Sequence, residues 1–86
     1  MFALPAPVSA HPGQRPSTPS LSGRQIECLA WVQEGKSAYD IGMILGLSAR
    51  TVEGHLAKVC RNLGVRRRIQ AVVRARELGL LGRAEP

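Results

Sequence analysis

A chain of 86 residues with a formal net charge of +6 has room for one small domain and a modest core, which excludes a multi-domain enzyme. Through Gly46 the cations Arg15, Arg24 and Lys36 balance Glu27, Glu34 and Asp40. From Leu47 onward nine Arg and Lys face only Glu53, Glu77 and Glu85, so the whole excess lies in the second half and points to a polyanionic partner, nucleic acid ahead of an anionic membrane.

Residues 1–20 hold five of the six prolines, with Ser, Ala, Gly and Gln between them. Such a segment cannot bury enough apolar surface to offset its ordering entropy, and a disordered arm is expected. Order is expected over residues 21–82. Ser22 followed by Gln25 fits a capping box, with Leu21 in the staple position before it. The first helix then runs to a stop at Gly35, with Cys28, Leu29, Val32 and Trp31 as its apolar stripe and Ile26 and Ala30 off it.

Ser37 caps a second, shorter helix, and Asp40 completes a weaker box; Ile41, Ile44 and Leu45 are expected on its buried side. Gly42 in the middle costs about 1 kcal/mol relative to alanine, which suggests that another helix approaches closely there. Gly46 ends this helix. Gly46, Leu47 and Ser48 alone separate it from the next, the short glycine-containing connection that a helix-turn-helix uses, here spanning about residues 38–57.

The third helix is expected over about Ala49 to Leu63, with Ser48 as N-cap and Gly64 as the left-handed stop. At about 100° per residue, Val52, Leu56, Val59 and Leu63 fall on one narrow stripe, and Arg50, Gly54, Ala57, Lys58 and Arg61 lie opposite. A helix laid in a DNA major groove needs that division: small side chains for close approach, flanked by cations that reach phosphates. Arg66-Arg67-Arg68 opens a fourth helix, where cations meet an unfavourable dipole, so the cluster reads as phosphate-facing. Ala71, Val72, Ala75 and Leu78 form its core stripe. Ile69 and Val73 form a second one, free to meet a copy of itself, and Leu80 and Leu81 are expected to fold back as a cap.

The remaining chemistry is sparse. Cys28 and Cys60 have no close-spaced Cys or His partners, and both read as small hydrophobes in a reducing cytosol. No stretch nears the roughly 20 apolar residues of a membrane span, and Met1-Phe2-Ala3-Leu4-Pro5 lacks the basic, continuously apolar start of a signal peptide. A cytoplasmic location follows. With no paired carboxylates, no nucleophile beside a base, no phosphate loop and no metal set, catalytic residues and cofactors are not expected.

Four blocks then match a family in order and spacing. They are Leu21-Ser22-x-Arg24-x-x-Glu27-x-Leu29; Gly35-Lys36-Ser37-x-x-x-Ile41-Gly42-x-Ile44-Leu45-Gly46-Leu47-Ser48; Thr51-Val52-x-x-His55-Leu56; and Leu63-Gly64-Val65-x-x-Arg68-x-x-Ala71-Val72-x-x-Ala75-x-x-Leu78-Gly79-Leu80. Together they resemble the LuxR-type helix-turn-helix domain over residues 21–81, and Trp31 with the Gly-Lys-Ser, Ile-Gly and Ile-Leu-Gly pieces is most similar to its quorum-sensing branch. The resemblance implies an all-α, four-helix bundle that binds double-stranded DNA as a dimer. The third helix would enter the major groove and the last would pair through Ile69 and Val73, with Arg76 beside them. It also implies base contacts from Glu53, Gly54 and Ala57 and phosphate contacts from Arg50, Thr51, Lys58 and Arg61. Relatives often carry Lys, Arg or Asn where this chain has Glu53, Gly54 and Ala57. Glu53 either accepts from a cytosine amino group or is a solvated flank residue, and Gly54 and Ala57 offer close approach or methyl contact. His55 flanks the core stripe and reads as a packed side chain.

The leading expectation is a stand-alone, sequence-specific transcriptional regulator, without a sensory domain, that acts as a homodimer on an inverted repeat. Two rivals are weighed against it. The fourth region of a sigma factor, a partner of RNA polymerase, shares several features but not the block from Leu63 to Leu80. An interaction protein that heterodimerises through Ile69 and Val73 with a larger LuxR-type regulator, and inhibits it, would explain a weakened groove face.

Overall fold

The computed structural model describes residues 20–82. Apart from Ser20, the expected N-terminal arm lies outside the described residues. Four helices follow one another: α1 (Gly23–Gln33), α2 (Ala38–Leu45), α3 (Ala49–Leu63) and α4 (Arg68–Glu77), with no strand among the described residues.

Local chemistry sets each boundary. The Ser22 hydroxyl accepts from the Gln25 amide at 3.1 Å while Gln25 Oε1 accepts from the Ser22 amide at 2.9 Å, so the expected box is complete. The box at α2 is looser on one side, since Ser37 Oγ accepts from Asp40 N at 3.1 Å but Asp40 Oδ2 takes the Ser37 amide at 3.5 Å. Ser48 accepts from Thr51 N at 3.0 Å and starts α3. Gly46 and Gly64 end α2 and α3 at φ +74° and +70°, in the left-handed region that a side chain disfavours. No residue side chain caps α4 from Arg67; instead Gln70 reaches back, and its Oε1 accepts from the amides of Arg66 and Arg67 at 3.1 and 3.0 Å.

The core is one cluster. Cys28, Leu29 and Val32 of α1 meet Ile41 of α2, the full α3 stripe of Val52, Leu56, Val59 and Leu63, and Ala71, Val72 and Ala75 of α4. Leu81 folds back into it as a cap and Leu80 packs alongside. α1 and α3 each touch all the other helices, whereas α2 and α4 do not meet. α3 is therefore held from both flanks, with its polar side turned outward.

Two expectations change. Ile44 is 45% exposed rather than buried, because α2 turns Ala38, Ile41 and Gly42 inward. These positions and half-buried Leu45 follow helical spacing from residue 38, and Ile44 stands off that stripe together with exposed Tyr39 and Met43. Ile26 and Ala30 are half-buried against the core rather than set apart from it. The close approach at Gly42 exists, and its partner is the turn itself. A Cβ there would overlap the Leu47 carbonyl oxygen and stand 3.3 Å from the Ser48 carbonyl carbon. The glycine lets α2 lie directly on the connection that aims α3.

Candidate nucleic-acid interface

The outward side of α3 is built by its own periodicity. Val52, Leu56, Val59 and Leu63 occupy an arc of about 60°, and Arg50, Thr51, Glu53, Gly54, Ala57, Lys58 and Arg61 share an arc of about 160° opposite. All seven are exposed, so the structure brings the expected DNA-contacting residues onto one surface. That surface carries no bulky apolar side chain. Its middle, Gly54 and Ala57, is low, and cations rise around it at Arg50, Lys58 and Arg61. A Cβ on Gly54 would meet nothing within 4 Å, so packing does not require glycine there. The flat centre is a property of the surface and not of the core.

Thr51 stands at the start of the helix, where its Oγ1 accepts from the Ser48 hydroxyl at 3.0 Å. The Thr51 hydroxyl proton is left free to donate to another acceptor. His55 is half-buried at the edge of the core stripe.

Glu53 is not a free carboxylate. Arg68, from the first turn of α4, donates through Nη2 to Glu53 Oε1 at 2.5 Å. No helical spacing announces this pair, because the partners lie 15 positions apart and meet only when α4 docks on α3. The sequence marks Arg66 and Arg68 as part of a cationic cluster at the start of α4, and only the fold shows that they stand beside the outward face of α3. Both line an open cavity of about 330 Å³ together with Glu53, Ala57, Cys60 and Arg61. Burial pushes the Cys60 thiol above its ordinary range, against the opposing pull of the Arg68 charge; burial does the same to Cys28. Both thiols are held in the neutral form at neutral pH.

A second surface lies on α4. Ile69 and Val73 are 60% and 52% exposed one turn apart, and with Val65 they floor a shallow groove of about 290 Å³ edged by Gln70, Arg74 and Glu77. Arg76 is exposed on the same helix but does not line this groove.

No described helix is long and apolar enough to cross a membrane, and no group of three or more His, Cys, Asp or Glu among the described residues is placed to hold a metal ion.

Comparison with known proteins agrees with this geometry. Residues 19–75 match the family described as "Bacterial regulatory proteins, luxR family". The chain is 46% identical over 55 residues to the transcriptional activator protein VanR of Vibrio anguillarum, covering 64% of this chain and 23% of VanR. It is 45% identical over 65 residues to the transcriptional activator protein SolR of Ralstonia nicotianae, covering 76% of this chain and 28% of SolR. The transcriptional activator protein LuxR of Aliivibrio fischeri is 47% identical over 55 residues, covering 64% of this chain and 22% of LuxR. The chain thus spans about a quarter of the length of the curated relatives it matches. Among solved structures, the transcription factor GerE superposes with a TM-score of 0.70 at 34% identity, covering 72% of this chain and 92% of GerE. The family is one of regulators and not of enzymes. Four helices in this order, a polar third helix held from both flanks and a match over residues 19–75 place the chain in the luxR family of bacterial regulatory proteins, as a helix-turn-helix DNA-binding domain of transcriptional regulators.

Proposed function

We propose that this domain, residues 21–82, works in the cytoplasm as a homodimer on an inverted repeat, with α3 laid into the major groove of each half-site. The observation that carries the reading is the division of α3: one narrow buried stripe, and opposite it a low, exposed centre ringed by Arg50, Lys58 and Arg61. Gly54 and Ala57 face the base edges. Arg50, Thr51, Lys58 and Arg61 reach backbone phosphates on either side. With so little hydrogen-bonding capacity in the middle of the face, discrimination rests on close approach, methyl contact and duplex shape more than on a dense set of base contacts.

Two copies meet through α4. A two-fold axis sets the same patch against itself, so the Ile69 and Val73 stripe of one protomer covers that of its partner, with Arg76 at the margin. The apolar groove floored by these residues supports the pairing. Binding of the purified chain to a duplex series across a range of salt, with the stoichiometry read by sedimentation, tests the reading. Two chains per duplex and a steep loss of affinity with salt are expected. A chain that binds no duplex but captures a larger LuxR-type regulator through Ile69 and Val73 replaces this reading with the inhibitory one.

A further inference from the structure

The ion pair between Glu53 and Arg68 has a place in the groove face that stability does not explain. Its side chains remain 53% and 38% exposed, and an exposed pair adds little to folding. Its position is specific, however. Glu53 stands at the α4 flank of the DNA-facing arc, where a bare carboxylate would repel phosphates. Arg68 neutralises it and is itself drawn from α4 onto the wall of the cavity that Arg61 and Arg66 also line. Arginine presents a planar fork of five donors, so one bond to Glu53 leaves the rest of the fork for a phosphate.

We propose that Glu53 is a positioning residue: its carboxylate holds Arg68 at the flank of α3 so that Arg68 closes on one phosphate of the DNA backbone, next to the one that Arg61 reaches, and Glu53 reads no base. This rests on the DNA-binding reading above. The pair works as a unit, with Glu53 supplying aim and Arg68 supplying contact. A carboxylate left without Arg68 acts against binding.

A double-mutant cycle on duplex affinity tests it, using Glu53→Ala, Arg68→Ala and the double variant of the full chain, each checked for retained helix content. Arg68→Ala lowers affinity about tenfold and reduces the magnitude of the logarithmic salt slope by about 0.9, the worth of one phosphate. Glu53→Ala lowers affinity about threefold in the wild-type background yet raises it about threefold when Arg68 is already alanine, a coupling of about tenfold. Arg68→Lys, which keeps the charge and loses the fork, falls between wild type and Arg68→Ala. The duplex sequence selected by Glu53→Ala matches that of the wild type. A wild-type complex with effects additive to within about twofold overturns the positioning role alone. So does a change in the selected base at one half-site position in Glu53→Ala, which makes Glu53 a base reader. Absence of a wild-type duplex complex overturns the DNA reading itself, and this role with it.

Discussion

Replacing Gly42 with alanine should separate helix propensity from helix packing within a single methyl group. In an isolated helix the change would add about 1 kcal/mol. Here the new Cβ is driven into the Leu47 carbonyl oxygen, with the Ser48 carbonyl carbon at 3.3 Å and the Ala49 amide nitrogen at 3.4 Å, all of them backbone atoms that no rotamer change can clear. Overpacking against a fixed neighbour costs about 3 kcal/mol at the upper end of its usual range, so the net loss is about 2 kcal/mol. For a domain of this size that lowers the melting temperature by about 10 °C. Gly54→Ala is the matched control. Its Cβ meets nothing within 4 Å, so the helix gain of about 1 kcal/mol is kept and melting rises by about 5 °C. The added methyl nevertheless projects from the centre of the groove face, so duplex affinity falls while stability rises. Thermal unfolding followed by far-ultraviolet circular dichroism, with duplex titration of the folded variants, reads both effects. A Gly42→Ala protein that melts at or above the wild type would refute the claim that α2 rests on the turn into α3.

Reversing charge at Lys58 and Arg61 together should weaken binding to all duplexes alike and reduce the magnitude of the salt slope by about 1.8, two phosphates at about 0.9 each; an unchanged slope would remove both residues from the phosphate contacts. Val73→Asp should leave a folded monomer by sedimentation, and a persistent dimer would move the interface away from α4. Because burial raises the Cys28 thiol above its ordinary value of 9.0, the folded state holds that proton more tightly than the unfolded chain. The stabilisation is complete below pH 9.0 and is lost as pH rises through the higher folded value. Unfolding by denaturant should therefore show a loss of stability above pH 9.0 that is smaller in Cys28→Ala, and equal losses in the two proteins would contradict that assignment.

Much of this fold is legible in the sequence because its boundaries are chemical. Ser22 with Gln25, Ser37 with Asp40, and Ser48 announce helix starts, while Gly46 and Gly64 announce stops, and α3 is long enough for Val52, Leu56, Val59 and Leu63 to define its buried stripe without ambiguity. The eight-residue α2 is too short for that. Its apolar residues fit a buried stripe through Ile44 nearly as well as one through Ala38, and the contact between Gly42 and the turn decides in favour of Ala38. Five positions of the groove face, Arg50, Gly54, Ala57, Lys58 and Arg61, follow from the same periodicity that places the core, and Thr51 and Glu53 are added by the family resemblance. The link between Glu53 and Arg68 does not, because it depends on how two helices dock rather than on spacing within either one.

The central claim is that this small domain recognises duplex sequence as a symmetric pair. Selection of bound duplexes from a random pool by the purified 86-residue chain, near physiological salt, tests it most directly. An enriched inverted repeat, with half-sites spaced by the two-fold axis through α4, is the expected result. Recovery of unselected duplex, or of none, would contradict it.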